Sequence, residues 1–164
     1  MTRSRLLSQR TLTATAMVLG AVALSSGLLC WITVRSFVQT TKAARGVRFE
    51  LEDVQWPGGA EPLVCLRVHN QSAVGVYLHE VHFNLYVQGR YIGTNIEGAA
   101  GTHLEPSSSN ILEFQIAITR ERFSELSALQ ARSPLEWRAV GRALVSSGTT
   151  RLTLPLKTTL RSGQ

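Results

Sequence analysis

Acidic side chains are missing from the first 48 residues of this 164-residue chain, and charge of either sign is missing from Thr11 to Val34. The first absence decides how the net charge of +6 is read. Residues 1–48 hold seven basic groups, whereas residues 49–164 hold ten basic against eleven acidic ones, a net of −1. Positive charge packed beside one apolar run suits lipid headgroups and topology control, and it excludes the long basic groove of a nucleic-acid binder. Cysteine is nearly absent too. Cys30 lies in the apolar run and Cys65 beyond it, so no disulfide can form within a folded domain, and the redox compartment stays open. There is no internal repeat, and no low-complexity tract beyond Ser107-Ser108-Ser109.

Chemistry-bearing motifs are equally scarce. The glycines of GTNIEGAAG (93–101) lack the Lys-Ser/Thr ending and the following helix that a phosphate loop requires. The serines at 107–109 have no glycine elbow. His79 and His82 are three apart, which on a regular strand places them on opposite faces, and His69 and His103 have no ligand-like neighbours. No catalytic residue, metal or cofactor is expected.

What is present begins with the apolar segment. Thr11–Val34 would extend about 36 Å as a helix, enough to cross a hydrocarbon core of about 30 Å. A cleaved signal peptide would share the basic start (Arg3, Arg5, Arg10) and the small residues Ala21, Ala23 and Ser25. Against it, the run continues through Leu28-Leu29-Cys30-Trp31-Ile32, longer than the 7–15 residues of a signal h-region. A lipidated Cys30 is disfavoured by the bulky Leu29 before it. The reading is an uncleaved signal-anchor, in contact with a lipid bilayer through residues 11–34. Basic residues flank it on both sides, and the short N-terminal tail favours a cytoplasmic N-terminus with the domain outside. Fifteen Arg against two Lys suggests a GC-rich bacterial genome, hence an inner membrane and a periplasmic domain.

The division expected is a basic tail (1–10), a transmembrane helix (11–34), a polar linker (35–45), a β-domain (46–160) and a tail (161–164). Period-2 alternation fills the domain. Val47, Phe49 and Leu51 alternate with Arg48, Glu50 and Glu52, and past Asp53 the phase slips to Val54 and Trp56, as a bulge would produce. Pro57-Gly58-Gly59 ends that strand. Further strands are predicted at Val64–His69, Val81–Gln88, Tyr91–Ile96, Leu112–Thr119, Leu135–Val145 and Arg151–Lys157, with Gly141 marking a bend or bulge. Between them, Phe123, Leu126 and Leu129 sit at three-residue spacing, predicting a short amphipathic helix over 120–132 closed by Pro134. About seven strands and one short helix predict an all-β fold, an immunoglobulin-like or fibronectin-like antiparallel β-sandwich after one transmembrane helix.

Leu66-Arg67-Val68-His69-Asn70, Phe83-Asn84-Leu85-Tyr86-Val87-Gln88-Gly89, Tyr91-Ile92-Gly93, Leu104-Glu105-Pro106 with the serines after it, and Glu136-Trp137-Arg138-Ala139-Val140-Gly141-Arg142-Ala143 together form a pattern. Over about residues 46–160 it resembles the late embryogenesis abundant type 2 family, also called the water stress and hypersensitive response (WHy) domain. The departures are Gln71 for a proline, Ser72 for a second asparagine and Gln88 for the corner asparagine. The resemblance implies a non-enzymatic module tied to desiccation and other stress, which stabilises client proteins or membranes. The alternative is an envelope-complex assembly component that docks a protein partner. Elementary chemistry makes Asn70, Gly89 and Gly93 structural turn residues: Asn bonds its own backbone two residues on, and Gly supplies positive φ or close approach. Asn70-Gln71-Ser72 also matches a glycosylation sequon. Tyr86, Arg90 and Tyr91 form a candidate contact patch.

Overall fold

The computed structural model describes residues 3–56, 61–96, 98, 101–130 and 135–161. Pro57-Gly58-Gly59, Pro134 and the end of the tail lie outside the described residues, as do 97, 99 and 100 of the glycine segment. Two compact units form, Met1–Val38 and Gln39–Gln164.

Helix α1 spans Arg3–Arg45 without a break. Its Thr15–Arg45 portion is long and apolar enough to cross a membrane, and the 18-residue window that decides this has a mean hydropathy of 2.0 and no buried residue. The hydroxyls of Ser25 and Thr33 donate to the carbonyls of Val22 and Leu29, so these polar side chains are satisfied within the helix itself. Arg35 lies over the Trp31 ring, 5.2 Å from its centroid.

The segment expected as a linker, 35–45, is helical. It contains no Gly or Pro, so nothing in it breaks a helix, and Lys42 and Arg45 favour the negative end of the helix dipole. Gly46 follows the last turn and donates its amide to Ala43 O at 2.9 Å. Thr40, Ala43 and Ala44 are buried at i, i+3, i+4 spacing, and Thr40 Oγ1 donates to Ser147 O at 2.8 Å. The last two turns of α1 therefore belong to the β-unit.

Eight strands follow: β1 Val47–Gln55, β2 Leu63–Asn70, β3 Val76–Val87, β4 Arg90–Asn95, β5 Thr102–Leu104, β6 Ser108–Ile118, β7 Glu136–Ser146 and β8 Arg151–Arg161. Helix α2, Arg120–Gln130, lies between β6 and β7. Every pairing is antiparallel, in the order β1-β2-β6-β4-β3-β7-β8 with β5 on β3. The domain is mostly antiparallel β, as the alternation predicts, but its strands follow one hydrogen-bonded path around a nearly closed, barrel-like sheet. β6 makes this possible by changing partner: Ser108–Gln115 pair with β2 and Ile116–Ile118 with β4. At the seam, the amide of Leu51 on β1 donates to Thr158 Oγ1 on β8 at 2.9 Å. Pro155 is accommodated because β8 ends the hydrogen-bonded path.

Alternation fills the interior. Val64, Leu66, Val68, Leu78, Val81, Leu85 and Ile116 are fully buried, and Phe83 meets Phe114 edge to face with centroids 5.3 Å apart. α2 closes one part of this core. Leu126 is fully buried, Leu129 packs against the core, and Phe123 meets Trp56 edge to face at 5.2 Å. The register shift in β1 falls between Leu51 and Asp53, where the slipped phase predicts it. A second shift, between Leu78 and Glu80, was not legible in the alternation.

Candidate functional site

Asn70 ends β2 and is 1% exposed. Its Oδ1 accepts the Ser72 amide at 3.1 Å, the two-residues-on bond characteristic of asparagine turns. Its Nδ2 donates to Val74 O and Glu105 O at 2.9 Å and to Leu104 O at 3.1 Å. One side chain thereby ties the end of β2 to the 71–75 turn and to the loop between β5 and β6. The amide nitrogen is enclosed and fully engaged, so the glycosylation reading of Asn70-Gln71-Ser72 does not hold for the folded chain.

Gln88 and Gly89 form the two-residue turn of the β3–β4 hairpin with φ of 49° and 77°. Positive φ at both central residues is the geometry that matches strand twist. Gly93 acts differently: a Cβ there would lie 2.1 Å from Ala117 O, so β4 and β6 approach closely only because the side chain is absent. Gly141 sits in an unshifted stretch of the β3–β7 ladder, opposite Phe83, and a Cβ there would lie 2.0 Å from His82 O. It marks close strand approach, with no register shift where a bulge was one expectation.

Tyr86 and Tyr91 are register partners whose rings meet edge to face at 5.8 Å, with Tyr91 41% exposed. Arg90 is exposed beside them. The structure thus gathers these three residues on the β3–β4 hairpin.

The histidines are dispersed. The shift between Leu78 and Glu80 leaves His79 as the extra residue, so Leu78 and Val81, three apart, both enter the core. The parity argument that put His79 and His82 on opposite faces therefore fails. His79 Nε2 lies 2.8 Å from Ser146 Oγ, tying the bulge to the end of β7. His69 pairs with Glu50 at 3.2 Å, His82 lies 3.6 Å from Glu80, and His103 lies 3.0 Å from Glu105. Among the described residues, no group of three or more His, Cys, Asp or Glu could hold a metal ion. A polar recess of about 350 Å³ beside Asn70 is lined by His69, Gln71 and Ser107–Ser109, but within it Ser108 Oγ donates to Glu105 O and His69 faces Glu50.

Cys65 is 8% exposed, and burial raises its thiol above the ordinary value of 9.0. Glu113, Asp53 and Glu52 raise it further; Asp53 and Glu113 are its register partners on β1 and β6. It stays protonated at neutral pH and is a poor nucleophile.

Two structural residues were not singled out from the sequence. Asn95, 5% exposed, accepts the Phe83 amide and donates to Val81 O, both at 2.8 Å, replacing backbone ladder bonds at the end of β4. Thr40 anchors the last turns of α1. The only available signal was residue type, an Asn closing a strand in the manner of Asn70.

Fold and geometry define a nearly closed antiparallel β-domain, cornered by buried asparagines and close-approach glycines, that follows a long apolar helix. The chain belongs to the late embryogenesis abundant protein family, whose model matches residues 65–160. In fold it is similar to a protein of Arabidopsis thaliana solved in solution (16% identity, 71% of this chain and 77% of that one, TM-score 0.50). A candidate late embryogenesis abundant protein, also solved in solution, shares 12% identity over 86% of each chain with a TM-score of 0.46. A crystal structure from Archaeoglobus fulgidus shares 10% identity over 72% of this chain and 96% of that one, with a TM-score of 0.42. No curated protein matches the sequence at a significant level.

Proposed function

We propose that the chain is a non-enzymatic protective module of the type 2, water stress and hypersensitive response kind. Residues 11–34 anchor it in a bacterial inner membrane, with the N-terminus cytoplasmic and the domain periplasmic. There it stabilises client proteins or membranes during desiccation and related stress. The observation that carries this reading is the family match over residues 65–160. The exposed apolar helix supports the anchor. The use of buried polar groups as corners, with each histidine set against a glutamate or serine, supports a role without chemistry.

Full-length chain in nanodiscs, dried with a test enzyme, should preserve more activity than an equal mass of albumin beside empty nanodiscs. Protection no better than albumin's removes the protective role. Crosslinking in native membranes addresses the envelope-assembly reading, because a single stoichiometric partner would replace the diffuse contacts that protection requires. A reporter fused after Gln164 reads the topology, and a cytoplasmic signal would reverse the orientation.

A further inference from the structure

The register of β7 and β8 fixes which side chains share their outer face. Arg138 opposes Thr159, Val140 opposes Lys157, Arg142 opposes Pro155 and Ser146 opposes Arg151. Directly opposed residues of an antiparallel pair share a face. The alternate set, Trp137, Ala139, Ala143 and Val145, is buried. The outer face therefore carries Arg138, Arg142, Arg151 and Lys157, all exposed. β3 and β4 continue it, since His82 opposes Arg142, Tyr86 opposes Arg138, and Tyr91 opposes Tyr86.

Among the described residues these four cations have no ion pair and no hydrogen bond, although Arg67, Arg122 and Arg161 each pair with a carboxylate. The described carboxylates on that face are Glu136, which pairs with Arg161, and Glu80, which lies beside His82 and lines a shallow recess with Arg142. Across the seam on β1, Glu52 pairs with Arg67 and Glu50 with His69 on β2, and Glu113 lies on β6. A domain of net charge −1 thus carries four cations without an ion pair on one hairpin. Lys157 falls diagonally between Arg138 and Arg142, so these charges repel one another until an external anion relieves them. The anion must be multivalent and extended, because the cations are spread along two strands of 11 residues each and do not converge on a cleft. Tyrosines at the rim, amphipathic at the headgroup level, complete the signature of a bilayer interface.

We infer that the outer face of β7–β8, flanked by Tyr86 and Tyr91, docks on the phosphate headgroups of an anionic bilayer. This rests on the membrane-anchor reading above, since a tether raises the effective concentration of lipid for the domain.

The test uses the full chain in a Cys30→Ser background, reconstituted in phosphatidylcholine vesicles with or without phosphatidylglycerol. A fluorophore is placed at T159C on the proposed face or at Q115C on β6, and nitroxide on the lipid headgroups is the quencher. With phosphatidylglycerol, the label at position 159 should be quenched several-fold more than that at 115, and the difference should vanish in phosphatidylcholine alone or at high salt. Each basic residue near an anionic surface is worth roughly fivefold in partition, so combining R138Q, R142Q and K157Q should lower the docking equilibrium constant about a hundredfold. Equal quenching at 159 and 115 in anionic vesicles, or an unaffected triple variant that melts normally, would overturn the inference. A stronger response to soluble polyglutamate than to anionic lipid would also overturn it, in favour of an acidic protein partner. Flotation with pure phosphatidylcholine reads the anchor separately: a chain that fails to float refutes the tether, whereas one that floats without differential quenching refutes only the docking.

Discussion

Single side chains hold the turns of this domain. Asn70→Ala removes the donor to three carbonyls and the acceptor for the Ser72 amide in a site 1% exposed. It should destabilise the fold by about 3 kcal/mol, read by chemical denaturation of the detergent-solubilised chain. Asn70→Asp should cost at least as much, because it sets a carboxylate against the same carbonyls. Gln88 holds φ of 49°, a conformation that asparagine adopts more readily. Gln88→Asn should therefore stabilise the domain by about 0.5 kcal/mol, with the gain visible as a higher melting temperature. Cys65 gives a pH signature. Its folded thiol titrates above 9.0, so the folded state holds the proton more tightly than the unfolded chain does. The associated stability is fully present below the unfolded pKa and is lost as pH rises through the folded one. Between pH 8 and 10, wild type should lose more stability than Cys65→Ser, and the thiol should resist Ellman's reagent until the chain unfolds. Asn70 as a turn former could be read from residue type alone. Its reach to Leu104 and Glu105, 34 and 35 positions away, could not, since that depends on how the β5–β6 loop folds back over β2.

Elements were legible where alternation is regular and lost where geometry changes its phase. The slip past Asp53 is visible because Val54 and Trp56 remain apolar on either side of a polar residue. The shift at His79 is invisible because the polar run His79-Glu80 reads equally well as a turn, so β3 was expected to begin five residues late. β5, with three residues, is shorter than any periodicity can register. The helical form of residues 35–45 was not foreseen because polarity was weighed over helix propensity, and the buried face of Thr40, Ala43 and Ala44 is too small to announce it. The ladders also set hard limits on substitution. Gly141→Ala would push a Cβ to 2.0 Å from His82 O, and Gly93→Ala to 2.1 Å from Ala117 O. Each should separate two strands and cost more than about 3 kcal/mol, seen as loss of the cooperative thermal transition and rapid proteolysis. Leu126→Ala, at the only fully buried side chain described in α2, should cost about 2–4 kcal/mol and loosen Phe123 from Trp56.

At the scale of the whole molecule, the chain pairs an apolar helix with a β-domain whose near-neutral net charge conceals a basic face. Replacing Leu24 and Leu28 with Lys, both exposed within the apolar segment, should release the protein from vesicles at alkaline carbonate while leaving the β-sheet circular dichroism intact. The seam between β1 and β8 has a consequence for biosynthesis. Leu51 meets Thr158 across 107 positions of chain. A ribosome adding about 5–20 residues each second has β1 out roughly 5–20 seconds before its closing neighbour exists. Throughout that interval one edge of β1 is open to any strand that passes, including β1 of another nascent chain. Glu50, Glu52 and Asp53, against the single Arg48, give that strand a net negative charge, which opposes its pairing with a copy of itself.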